Sequence, residues 1–184
     1  MMKAKCEKIM TNKDNLQQTG LNNNDIGFSL KNAIAAINSY SNSTGIRCII
    51  IDSEGKTLYE NCGRNKSCSL CKNVENIMGS KQICTNSHLY GSYQAERFGG
   101  KYVFFCPMGL VHWVSPIIQN NVLKGAIVAG PVQMVEPEEF LIEDIIRKNN
   151  INEKYIMEIK KQIDEIPIIK PETVNDLSEL LFIV

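Results

Sequence analysis

KYVFFCPMGLVHWVSPIIQNNVLKGAIVAGPV, residues 101–132, decides the fold. β-branched and aromatic residues crowd three short runs, 101–106, 110–118 and 123–129, and such residues favour strands. Pro107 and Gly109 part the first two runs, since proline has no N–H to give to a ladder. Asn120-Asn121 parts the last two. Asparagine tolerates the left-handed backbone of a tight hairpin. Gly130-Pro131 is expected to close the sheet.

Upstream, the β-branched run 46–52, the turn Ser53-Glu54-Gly55 and the run 56–59 read as a hairpin. Before it, Phe28, Leu30, Ala33, Ile34 and Ile37 recur at helical spacing, with Asn24 or Asp25 as the expected N-cap. A polar turn with glycine, 41–45, ends that helix. A loop over 61–72 leads to two helices, about 73–78 and 81–98, and Gly99-Gly100 stops the second. Downstream, 138–149 and 153–163 read as helices, and a last one begins at Glu172 after Pro167 and Pro171. Helix, two strands, short helices, three strands and helices make an α+β domain. Its expected architecture is a PAS/GAF-like five-stranded antiparallel sheet with flanking helices. Residues 1–24 form a polar tail, 25–169 the domain, and 170–184 the start of a connector to an output domain in a longer regulator.

With 184 residues, 43% apolar, the chain has the length of one domain with a real core. Lys+Arg and Asp+Glu balance at 20 each, and no cationic cluster stands out. That argues against direct nucleic-acid binding, which accumulates Lys and Arg against phosphates. No apolar run approaches the ~20 residues of a membrane helix, and no signal sequence opens the chain. A cytoplasmic location is expected.

Seven cysteines are the strongest chemical signal. An odd count in a reducing compartment points to thiols, metal ligands or redox chemistry. Cys6 lies in the tail, and Cys48, among isoleucines, reads as a small core residue. Cys62, Cys68, Cys71, Cys84 and Cys106 cluster, with His88 four residues after Cys84 on one helical face. Cys68-x-x-Cys71 suits a metal, and thiolates with an imidazole would satisfy zinc or an iron–sulfur cluster. Packed thiols without a metal remain the alternative. An enzyme is not expected: H-E-x-x-H, a phosphate-binding glycine loop and Gly-x-Ser-x-Gly are all missing.

Cys71-x12-Cys84, then Phe105-Cys106-Pro107-Met108-Gly109-Leu110, Ser115-Pro116-Ile117 and 125–132 together resemble the PocR sensory domain. That family is PAS-like and sits in AraC-type regulators, histidine kinases and related signalling proteins. The resemblance implies a sensor of small hydrocarbon derivatives such as diols and glycerol. It places the family's cysteines on Cys71, Cys84 and Cys106, which are expected to converge, with Cys68 or His88 as a fourth ligand. His112 stands where the family pattern leads one to expect an acidic residue.

A pocket is expected between the sheet and the 81–98 helix. Phe105, His112, Trp113, Gly125 and Gly130 are its candidate ligand-binding residues. Glycine inside a strand marks a bulge or the close approach of backbone or ligand. Trp113 and His112 could each be core instead. Leu177, Leu180, Leu181 and Val184 share a helical face, so a homodimer through the last helix is expected, unless that stripe packs back on the domain.

Overall fold

The computed structural model describes residues 26–64, 68–78, 82–136 and 138–183. The elements are α1 (Leu30–Thr44), β1 (Cys48–Asp52), β2 (Thr57–Asn61), α2 (Cys68–Met78), α3 (Gln82–Phe98), β3 (Tyr102–Phe105), β4 (Val111–Gln119), β5 (Val122–Val132), α4 (Glu139–Lys148), α5 (Ile156–Asp164) and α6 (Pro171–Ile183). A single turn of 3-10 helix, Glu153–Tyr155, leads into α5. The strands form one sheet in the order β2-β1-β5-β4-β3, with every neighbouring pair antiparallel. This is the expected α+β fold, with six flanking helices among the described residues.

Local chemistry sets the boundaries. α1 opens at Leu30 because the Ser29 side chain accepts a hydrogen bond from the Asn32 N–H, which satisfies one orphan donor of the first turn. It closes on Gly45, whose left-handed backbone lets its N–H reach the Ser41 carbonyl. The expected caps Asn24 and Asp25 lie outside the described residues. Asn120 and Asn121 both have positive φ, 53° and 59°, the signature of a type I′ hairpin turn. In the other hairpin, Asp52 Oδ1 accepts from the Glu54 and Lys56 N–H groups.

Two sequence expectations are corrected. α2 begins at Cys68, five residues before the expected start, so Cys68 and Cys71 belong to a helix and not to a loop. β5 does not end at Gly130-Pro131 but runs on to Val132, which pairs with Val111.

Three apolar clusters hold the elements. On one face of the sheet, α1 and α6 pack through Ile37, Tyr40, Val174 and Leu181 against Cys48, Ile50, Trp113 and Ala129. On the other face, α3 covers Ile49, Ile51, Val114 and Val128, with Ala95 and Phe104 between. Beyond the sheet, α2, α4 and α5 gather around Met108 and Leu110 of the β3–β4 turn. Cys48 is fully buried among its neighbours, and burial pushes its thiol pKa up to about 12. That is the inert core cysteine its surroundings suggested. Among the described residues, no helix is long and apolar enough to cross a membrane.

Candidate ligand-binding site

The site begins with an irregularity in the sheet. Val111 pairs with Val132 and Trp113 with Ala129, so Gly130 and Pro131 together stand opposite the single residue His112. Two residues against one is a β-bulge, a device that re-aims a side chain beside it. Gly130 has φ 111°, and a Cβ there would come within 2.8 Å of the Val111 carbonyl and 3.1 Å of His112 Nδ1. Only glycine allows the backbone to close behind the His112 ring.

That ring is 2% exposed. It stacks on Phe104, its cross-strand partner on β3, with centroids 5.6 Å apart. It also meets His88 of α3 edge-on at 5.4 Å. Among the described residues, His112 Nδ1 finds no hydrogen-bond partner, which is costly for a buried polar atom. Burial depresses the His88 pKa to about 4, and the Arg47 cation adds to the effect. Burial holds His112 well below its usual value too, helped by His88 and Arg47 and opposed by the Ala129 backbone. Arg47 itself is paired with Glu60 at 2.7 Å. At neutral pH both imidazoles are uncharged, and each offers one donor and one acceptor.

These rings form one wall of a largely enclosed cavity of about 20 Å³, on the scale of one water. Cys84, one turn before His88 on α3, and Cys106, at the end of β3, share it. Leu70 and Val74 of α2, with Met108 and Leu110 of the β3–β4 turn, supply apolar walls. Asn149 closes the cavity from the end of α4, where its Nδ2 donates to the Pro107 and Ile145 carbonyls. Among the described residues, none that lines the cavity carries a charge. An open groove of about 330 Å³ adjoins it, bounded by Tyr90, Phe104 and Phe105 and sharing Ile83 and Pro107 with the cavity.

The structure therefore brings Cys84, His88, Cys106 and His112 to one cavity between α3 and the sheet. Gly130 backs His112, and Phe105, 63% exposed, edges the groove. Trp113 and Gly125 lie elsewhere. Trp113 points to the opposite face of the sheet and donates from Nε1 to the Tyr40 hydroxyl. Gly125 is pressed against the Ile51 carbonyl and Phe28, where it admits backbone and not ligand. The side chains of Cys68 and Cys71 lie outside the described ones, as does Cys6. Cys62 is disulfide-bonded. Among the described residues, no three His, Cys, Asp or Glu side chains form a group that could hold a metal ion. Leu70, Val74 and Asn149 went unread in the sequence, because helices distant in the chain deliver them and a lone Leu, Val or Asn carries no local signal.

Apolar walls with a few convergent polar groups are the usual composition of small-molecule sites. The chain belongs to the PocR family, described as "Sensory domain found in PocR", whose sequence profile matches residues 28–184. It is a sensory family and not a catalytic one. No curated protein matches the chain. Among solved structures, the Vibrio cholerae VqmA dimer, a LuxR-type receptor studied in the absence of its target DNA, aligns with 83% of this chain and 87% of its own. Identity is 10% and the TM-score 0.31, a likeness that carries no argument here.

Proposed function

We propose that this domain senses a small neutral molecule, a diol, glycerol or a related hydrocarbon derivative, in a bacterial transcriptional regulator or signalling protein. The observation that carries the reading is the uncharged cavity, with two neutral imidazoles on one wall, together with the larger groove that adjoins it. A hydroxyl can both donate to and accept from such rings, whereas a carboxylate or phosphate would find no cation among them. Ligand binding would act on an output domain, with the protein working as a cytoplasmic homodimer.

Thermal-shift titration with glycerol and propylene glycol tests this. Stabilisation should grow with ligand concentration as the linkage relation requires and vanish in His88→Phe. Shifts of equal size in wild type and His88→Phe would remove the cavity from the account.

A second reading rests on residue type: two thiols and two imidazoles line one small cavity and are zinc or iron–sulfur ligand types, but no three of them, as placed, form a group that could hold an ion, so it requires a further ligand. Cys71 follows Leu70, a cavity residue, and would be the added ligand, with Cys68 one turn earlier. Metal analysis of protein purified without oxygen decides it. Stoichiometric zinc or iron, lost in Cys84→Ser and Cys106→Ser, favours the metal; metal-free protein that still binds polyol dismisses it.

A further inference from the structure

The enclosed cavity and the open groove share two wall residues, Ile83 and Pro107. They also lie back to back across one aromatic stack, because Phe104 edges the groove while its ring stacks on His112, which lines the cavity. The two spaces differ in character. The cavity, about 20 Å³, has room for a single small polar group and holds the imidazoles that would bind one. The groove, about 330 Å³, runs past Tyr90, Phe104 and Phe105 and is mostly apolar. A compact polyol would leave the groove unused.

We infer that cavity and groove are one site for an elongated neutral amphiphile: a single hydroxyl or carbonyl head in the cavity beside the paired His88 and His112 rings, and an unbranched alkyl tail in the groove. The inference rests on the sensory reading above and narrows its ligand class. The head exchanges water's hydrogen bonds for those of two neutral rings, a nearly even trade. The tail gains from leaving water, and each buried methylene tightens binding by up to about fourfold. Affinity should therefore climb with chain length and hardly depend on a second hydroxyl. Ile83 stands where the two spaces meet, so a large side chain there would cut the tail off from the head.

Calorimetric or thermal-shift titration with n-butanol, n-hexanol and n-octanol, beside glycerol and propylene glycol, provides the test. The expected result is a roughly twofold to fourfold gain per added methylene. Tyr90→Ala, at an exposed position that should not disturb folding, is expected to weaken n-octanol several-fold more than n-butanol. Ile83→Trp should abolish the dependence on chain length. If glycerol or propylene glycol binds in a His88-dependent way and the alkanols show no trend with length, the elongated ligand is wrong and the polyol sensor stands. If neither series binds, both readings fall.

Discussion

The two histidines carry the most specific prediction at the scale of a residue. Both are neutral in the folded protein because burial penalises the cation, with His88 held at about 4. In the unfolded chain each returns to about 6.5. Between those values the unfolded state binds more protons, so stability must fall as pH drops. Above pH 7 neither state is protonated at these rings, and they contribute no slope. Unfolding by urea between pH 8 and pH 4 should show a plateau above neutrality and a steepening loss below about pH 6. His112→Phe should flatten part of that loss. A wild-type profile level down to pH 4.5 would contradict the buried neutral pair. Gly130→Ala offers a second check. It forces a side chain into a positive-φ position and against the Val111 carbonyl, so a destabilisation of about 1–3 kcal/mol is expected by denaturant titration.

At this scale the sequence was partly legible. Residue type and spacing draw attention to Cys84, His88 and Cys106, and the pocket reading to His112; all four line one cavity, while the side chain of Cys71, also expected there, lies outside the described ones. Alternation along β4 also put His112 and Trp113 on opposite faces. It could not say which face carries a cavity, because helices cover both. Nor could a glycine in a strand declare its reason. Gly125 yields to the Ile51 backbone and Gly130 to a bulge behind His112, and both look alike in one sequence.

Among elements, a buried hydrogen-bond relay ties three together. Trp113 Nε1 of β4 donates to the Tyr40 hydroxyl of α1 at 3.0 Å, and that hydroxyl donates to the Leu177 carbonyl of α6 at 2.8 Å. Tyr40→Phe would strand the indole N–H in the core. The expected cost is about 1–3 kcal/mol, seen as a lowered melting temperature with binding at the opposite face intact. α6 itself was read as a stripe that pairs with a second copy or folds back. Val174, Ser178 and Leu181 are buried on the sheet, and Lys101 forms an ion pair with Glu179, so the fold-back holds for that side. Leu180 and Ile183 remain exposed, which a thirteen-residue helix with one covered face permits. Helices and strands were legible because periodicity records burial directly. The early start of α2 was not, because 61–72 is crowded with Cys, Gly, Asn and Ser, residues typical of loops.

For the whole molecule, the open question is self-association. The proposed dimer would use the exposed side of α6. Sedimentation across a range of concentrations should show a monomer–dimer equilibrium for the wild type and its loss in a Leu180→Glu, Ile183→Glu variant. Monomer throughout the range, in the wild type, would dismiss this surface. Both substitutions lie away from the buried face, so the variant should keep its fold.

The β3–β4 turn has one more consequence. Cys106 and Met108 belong with the apolar cluster of α2, α4 and α5, while two residues after Leu110 the chain reaches His112 under α3. The cavity therefore straddles the seam where a helical block meets the sheet. A molecule lodged there works like a rivet: it touches both plates and must be released before they part. If the helical block opens at that seam, amide hydrogens of α4 and α5 should become slower to exchange on binding. Those of the β1–β2 turn, at Ser53 to Lys56, should keep their rates. The receptor would then announce its ligand through the rate at which one joint works loose, without any change in the resting shape of the sheet.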